Sequence, residues 1–206
     1  LPAAVSNQWF ELRHCHPLCP NLFLEIAMAL PATIFKANLQ ISDLDRPYYG
    51  EHQLTLARHP SETDERMMVR LLAFALHADE NLYFSKGLCV DDEPELWRKN
   101  LTGEIELWID VGLPDERRVR KASNRAGQVC LYLYGGRAAD QWWQRNADKL
   151  QRFANLKVFE IGDAQSKALT GLVQRSMQLQ CTIQDGEVWL SCGDQTLSIS
   201  PLVRKV

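Results

Sequence analysis

The clearest pattern in the chain is a strict alternation over residues 104–112, Glu-Ile-Glu-Leu-Trp-Ile-Asp-Val-Gly. Ile105, Leu107, Ile109 and Val111 fall on one face and Glu104, Glu106, Trp108 and Asp110 on the other, the period of two that a strand requires. Looser alternation predicts strands from Thr33 to Ile41 and from Tyr48 to Ala57, joined as an antiparallel pair through the turn cluster Ser42-Asp43-Leu44-Asp45-Arg46-Pro47. Pro60-Ser61-Glu62-Thr63-Asp64 predicts a helix start, with Ser61 as N-cap and Asp64 as its capping partner, and the helix should reach about Ala78. Met67, Met68, Leu71, Leu72, Phe74, Ala75 and Leu76 form a wide apolar arc, which makes this a core helix. Glu65 falls on that arc, whereas Arg66, Arg70 and His77 fall on the opposite, polar side.

The middle of the chain continues with a short strand from Leu82 to Lys86, an acidic loop Asp91-Asp92-Glu93-Pro94 and a short strand from Glu95 to Lys99, before the alternating segment. Pro114 then suits the first position of a helix, with Asp115 and Glu116 in its first turn and Gly127 as its stop. The apolar runs Gln128 to Tyr134 and Leu156 to Ile161 read as strands buried on both faces. Helices are expected from about Ala138 to Phe153 and from Ala164 to about Arg175. The tail reads as a meander of strands at 177–183, 188–191 and 196–199, with Asp185-Gly186 as a strong hairpin signal. Together these elements predict an α/β fold in which a mixed central sheet is flanked by helices. A second, small antiparallel sheet is expected from the N- and C-terminal strands.

Composition narrows the class. With 206 residues and 46% hydrophobic content the chain can bury one good core, so residues 28–206 are expected to form a single domain. A net charge of −3 excludes a general basic coat, and any contact with nucleic acid must come from a local patch. No run of about 18 apolar residues is present to span a membrane. The cysteines at 15, 19, 89, 130, 181 and 192 are thinly spread, which suits reduced thiols and a cytoplasmic location better than a disulfide framework. Residues 1–27 carry no sustained period and read as an unstructured extension, with Met28 as a natural start. His14-Cys15-His16-Pro17-Leu18-Cys19 contains metal-ligand residue types. Crowding within six residues and the restricted backbone at Pro17 nevertheless suit a closed tetrahedral site poorly.

Candidate chemistry gathers around the alternating strand. Glu65 faces the sheet from the first core helix, Glu95 opens a strand after Pro94, and Asp110 closes the next one. The following helix carries Arg117, Lys121 and Arg125 on one stripe, opposite a seam of Val119, Ala122 and Ala126. A divalent cation such as Mg2+ or Mn2+ takes a few carboxylate oxygens and leaves its other positions to water and phosphate, so Glu65, Glu95 and Asp110 are the metal candidates. Arg117, Lys121 and Arg125 are the candidates for holding a nucleic-acid backbone.

The order of a helix, a hairpin with Pro-Glu, an apolar-Asp-Val strand end, a helix and a strand resembles the core of the PD-(D/E)XK, or restriction-endonuclease-like, superfamily. Within it the chain resembles the YaeQ family of uncharacterised bacterial proteins. The matching stretches are Met28–Lys36, Leu54–Glu62, Gly87–Glu95 and Leu107–Arg117, extended by Ala154-Asn155-Leu156 and Thr182–Gly186. The superfamily resemblance implies divalent-metal-dependent phosphodiester hydrolysis of nucleic acid, with Glu95 as the first motif acid and Asp110 as the second. Gly112 stands where the motif keeps a lysine, and Lys121, with Lys99 behind it, is the candidate to replace that catalytic amine. The missing lysine equally implies a catalytically inactive descendant that binds nucleic acid or a protein partner, such as part of the transcription machinery. Each residue also has a plainer role. Glu65 could pair with a cation at the core edge, Glu95 could be a surface carboxylate and Asp110 could bond to backbone amides. The basic stripe could be a solvated face, and Trp142-Trp143, which could stack on bases, fit packing better.

Overall fold

The computed structural model describes residues 32–85 and 93–206. The expected extension at 1–27, its His-Cys segment, Asp91, Asp92 and the end of the Leu82–Lys86 strand lie outside the described residues. Strands β1 (Thr33–Asp43) and β2 (Tyr48–Arg58) form the expected antiparallel pair, in a register running from Thr33 opposite Arg58 to Asp43 opposite Tyr48. Next come α1 (Asp64–Leu76), β3 (Leu82–Phe84), β4 (Leu96–Lys99), β5 (Ile105–Val111), α2 (Glu116–Arg125), β6 (Ala126–Leu133), α3 (Arg137–Leu150), β7 (Leu156–Glu160) and α4 (Asp163–Leu169). A 3-10 turn at Thr170–Leu172 leads into β8 (Ser176–Gln184), β9 (Glu187–Cys192), β10 (Gln195–Ile199) and β11 (Leu202–Lys205).

Two sheets result among the described residues. One has the order β11-β7-β6-β5-β4-β3, with β5, β6 and β7 parallel and β3, β4 and β11 antiparallel around them. The other has the order β10-β9-β8-β1-β2. This second sheet corrects the expectation of a small antiparallel one. It has five strands, and β1 runs parallel to β8, so it too is mixed. Alternation along β1 and β8 identifies their buried faces but says nothing about which strand lies beside which.

One core cluster joins both sheets through α1: Phe35, Leu39 and Ile41 from β1, Leu179 and Ile183 from β8, and Leu107, Ile109 and Val111 from β5 all belong to it. A second cluster packs α2 and α3 on the other face of the six-stranded sheet, around Trp108, Val119, Ala122, Leu131 and Leu150. The polar face expected for β5 is therefore polar only at its ends. Trp108 is fully buried under α2, because the β5-α2-β6-α3-β7 crossovers place helices over that face. Trp142 and Trp143 pack against the same cluster, and Trp142 Nε1 donates to the Pro114 carbonyl at 2.9 Å, the packing role rather than a base platform.

Helix boundaries follow local hydrogen bonding. Thr63, not Ser61, caps α1, its hydroxyl accepting from the Arg66 amide at 3.2 Å. Asp115 caps α2 by accepting from the Arg118 amide at 2.7 Å, which places Pro114 before the cap, not at the first helical position. α2 passes directly into β6 at Ala126, so Gly127 is a strand residue rather than a stop. The Asp185-Gly186 turn is as expected, with φ of 53° and 75° giving the two left-handed positions of a tight hairpin. No described helix is long and apolar enough to cross a membrane. Cys130 and Cys181 are buried free thiols, and burial pushes each up to about 12.

Candidate functional site

Glu95 and Asp110 lie on neighbouring chain segments at one end of the six-stranded sheet. The β4–β5 register places Leu96 opposite Ile109, and the Glu95 amide donates to the Ile109 carbonyl at 3.0 Å, which sets Glu95 beside Asp110. Both are buried, at 5% and 4% exposure, so neither is a surface carboxylate. A buried carboxylate needs a counter-charge or hydrogen-bond donors. Each acid finds arginine, from helices on opposite faces of the sheet.

Asp110 is gripped by Arg118 of α2. Nε donates to Oδ2 at 2.9 Å and Nη2 to Oδ1 at 2.8 Å, the two-pronged arrangement that fits guanidinium to carboxylate best. The same Nη2 donates to the Glu93 carbonyl at 2.8 Å and so ties α2 to the chain entering β4. Glu95 is met by α1 instead. Arg66 Nη2 donates to Glu95 Oε1, and Arg70 Nε lies 3.7 Å from Glu95 Oε2. Arg70, itself 3% exposed, also pairs with the buried Glu62, with Nε 2.8 Å from Oε1 and Nη2 donating to Oε2 at 2.9 Å. Burial and the neighbouring Glu95 raise the Glu62 carboxyl, against the pull of Arg70 and Arg66. Burial opposes the Arg66 charge as well, but Glu95, with Tyr134 beside it, outweighs burial and pushes the guanidinium above its ordinary value.

Arg66 and Arg70 fall on the side of α1 expected to be polar. They are turned inward because α1 packs between the two sheets, where its polar side meets carboxylates instead of water. The sequence carried a signal for this: Glu62, Arg66 and Arg70 lie at spacings of four, the ladder that brings opposite charges together along a helix. Arg118 carried a weaker one, standing outside the Arg117/Lys121/Arg125 stripe and close to the apolar seam.

Gly112 has its own explanation. Its φ is +102°, and a Cβ built there would lie 2.9 Å from Arg66 Nη1, which donates to the Val111 carbonyl at 3.0 Å. The space that a side chain at 112 would enter thus holds a guanidinium delivered from α1. Glu65 goes elsewhere: its Oε1 accepts from the Ser166 hydroxyl of α4 at 2.6 Å. Among the described residues no group of three or more His, Cys, Asp or Glu side chains could hold a metal ion. Along α2, Arg117 and Arg125 are exposed and Lys121 is half-exposed, one turn beyond Arg118. The Arg125 guanidinium lies 5.7 Å from the Trp108 ring centre, and Lys99 Nζ lies 3.5 Å from that of Trp97.

These elements define a mixed α/β protein in which two buried acids at a sheet end are each held by arginine. The chain belongs to the YaeQ family: residues 28–201 match the family described as YaeQ protein. It is 52% identical over 173 residues to the uncharacterized protein YaeQ of Escherichia coli strain K12, across 84% of this chain and 96% of that protein. The Salmonella typhi protein is 52% identical over 172 residues, 84% of this chain and 95% of its own length. The crystal structure of YaeQ from Xanthomonas axonopodis pv. citri is similar with a TM-score of 0.83 at 52% identity, covering 85% of this chain and 99% of that one. That of the Pseudomonas syringae protein gives 0.82 at 32% identity, covering 86% and 98%.

Proposed function

We propose that the chain is a PD-(D/E)XK-like protein that binds nucleic acid through its phosphate backbone without hydrolysing it. The observation that carries this reading is the two-pronged Arg118–Asp110 pair, seconded by Arg66 on Glu95. A divalent cation at Asp110 would have to displace a guanidinium already bonded to both carboxylate oxygens, and at Glu95 it would meet a second guanidinium. Glu65, the third candidate ligand, is bonded to Ser166. This donor set does not suit Mg2+ or Mn2+. The basic side of α2, with Arg117, Lys121 and Arg125, supplies what backbone binding needs: cations that replace condensed counterions.

The test is binding of a labelled panel of DNA and RNA, single- and double-stranded, followed by fluorescence anisotropy in EDTA and then in Mg2+ or Mn2+, with gel analysis for cleavage. Binding should persist in EDTA and weaken with salt. The Arg117→Ala/Lys121→Ala double variant should lower the slope of log affinity against log salt by about 1.4 for single strands. Asp110→Asn should bind nearly as the parent does. Divalent-dependent cleavage that is lost in Asp110→Ala would overturn this reading in favour of hydrolysis with Glu65, Glu95 and Asp110 on the metal and Lys121 as the catalytic amine. Salt-independent association, or none, would also overturn it and point to a protein partner.

A further inference from the structure

Three aromatic residues stand in a row across the edge of the six-stranded sheet. Tyr83 of β3 lies directly opposite Trp97 of β4, and Trp97 directly opposite Trp108 of β5. Directly opposed residues of antiparallel strands point to the same face, and Trp108 places that face on the α2 side. Cover by α2 ends at Trp108. Trp108 is fully buried, Trp97 is half-buried and Tyr83 is 57% exposed. Two large rings are thus left side by side beyond the helix. With neighbouring strands about 4.8 Å apart, they lie within about 10 Å of the Trp108 position.

The flank of α2 that borders this row is its basic one. α2 has two flanks, and hydrogen bonds fix where each points. Glu116 pairs with Arg152, and the Ser123 carbonyl accepts from Asn155, so that flank faces away from β4. Arg118 reaches the Glu93 carbonyl at the start of β4, so the opposite flank faces the aromatic row. Lys121 and Arg125 follow Arg118 at the spacings that share a helix side, and the Arg125 guanidinium over the Trp108 ring agrees with that placement. Two residues along β4, Lys99 Nζ lies 3.5 Å from the Trp97 ring centre and caps one face of that ring. An exposed Tyr83 ring, with cations on α2 and on the neighbouring Trp97, is complementary to a chain of alternating planar rings and phosphates.

We infer that the occupant of this surface is a single-stranded nucleic acid with a base stacked on Tyr83, beside the Lys99-capped Trp97 ring, while its phosphates run along the Lys121/Arg125 flank of α2. The inference rests on the backbone-binding reading above and adds the substrate class. A duplex keeps its base faces stacked on one another and cannot offer them to Tyr83. A single strand can, and stacking of this kind tolerates any sequence because every base has a face.

Anisotropy with strands of equal length tests it: a DNA strand, an RNA strand of the same sequence, a fully abasic strand of equal charge, and a blunt duplex. The single strand, in either or both sugar chemistries, should bind more tightly than the duplex and the abasic strand. Tyr83→Ser, at an exposed position that folding tolerates, should weaken the normal strand by about 5- to 150-fold and leave the abasic strand unchanged. Trp97→Phe, which keeps a ring, should stay close to the parent. Equal binding of normal and abasic strands, or no effect of Tyr83→Ser while Arg117→Ala/Lys121→Ala still weakens binding, overturns the stacking inference and leaves backbone binding standing. Absence of binding to every strand overturns both.

Discussion

Arg66 and Gly112 exclude one another's alternatives: a Cβ at 112 would lie 2.9 Å from Arg66 Nη1, while that nitrogen donates to the carbonyl of the residue before Gly112. Two penalties therefore meet in Gly112→Ala, a left-handed backbone forced on an L-residue and a steric conflict with a guanidinium anchored on Glu95. The variant should lose about 1–3 kcal/mol in urea unfolding. In an Arg66→Ala background the steric part disappears and the cost should fall toward about 1 kcal/mol, the backbone part alone. Additive costs would mean that the two residues do not interact.

The two halves of the Arg118–Asp110 pair should not be equally costly to remove. The Asp110 side chain is 6% exposed and that of Arg118 is 27% exposed. Arg118→Met leaves a charged carboxylate buried without its partner, a loss of about 3–5 kcal/mol for a fully buried pair and less here because Arg118 reaches solvent. Asp110→Asn leaves a guanidinium that can turn outward, at about 1–2 kcal/mol. Urea unfolding of both single variants checks the order, which a surface pair would not show.

Acid should destabilise the protein through histidines that the fold holds neutral. His77, the half-buried cap at the C-terminal end of α1, has Nε2 2.7 Å from the Tyr132 hydroxyl of β6, and desolvation lowers its pKa from 6.5 to about 3. Burial lowers His52 as well. A histidine held neutral in the fold but free to charge when unfolded adds stability that is complete above about pH 6.5 and is lost as pH falls toward 3. The slope is up to about 1.4 kcal/mol per pH unit for such a group. Urea midpoints from pH 7 to 5 should therefore fall in the parent and flatten in His77→Asn. A parallel fall in both proteins would assign the effect to other groups.

What the sequence displayed was the faces of elements, and what it concealed was their neighbours. Alternation at 105–111 placed Leu107, Ile109 and Val111 in the core, and the Asp185-Gly186 turn was legible because tight hairpins demand left-handed residues. The β1–β8 pairing joins Lys36 to Ser176, and no local pattern encodes a contact across that separation. β11 was missed because its four residues do not alternate in burial. At the site, Glu95 and Asp110 were legible from their strand ends, but their partners were not. Helical periodicity assigns Arg66 and Arg70 to a polar side, and only the second sheet turns that side into an interior where charge must be matched.

Asn155 holds the C-terminal end of the basic helix. Its Nδ2 donates to the Ser123 carbonyl at 3.0 Å and to the Ala126 carbonyl at 2.9 Å, the last turn of α2 and the first residue of β6. Both protons of the amide are used on carbonyls, so Asn155→Ala should leave two acceptors without this donor and cost about 1–3 kcal/mol. Asn155→Asp should cost more, because a carboxylate brings negative charge against the same two carbonyl oxygens. Hydrogen exchange gives a local readout: amides over 120–126 should exchange faster in both variants, and fastest in Asn155→Asp. Because Lys121 and Arg125 lie in that turn, nucleic-acid affinity should fall in the same order as protection. Loss of protection without loss of affinity would place the backbone contact on the first turn of α2, at Arg117, instead.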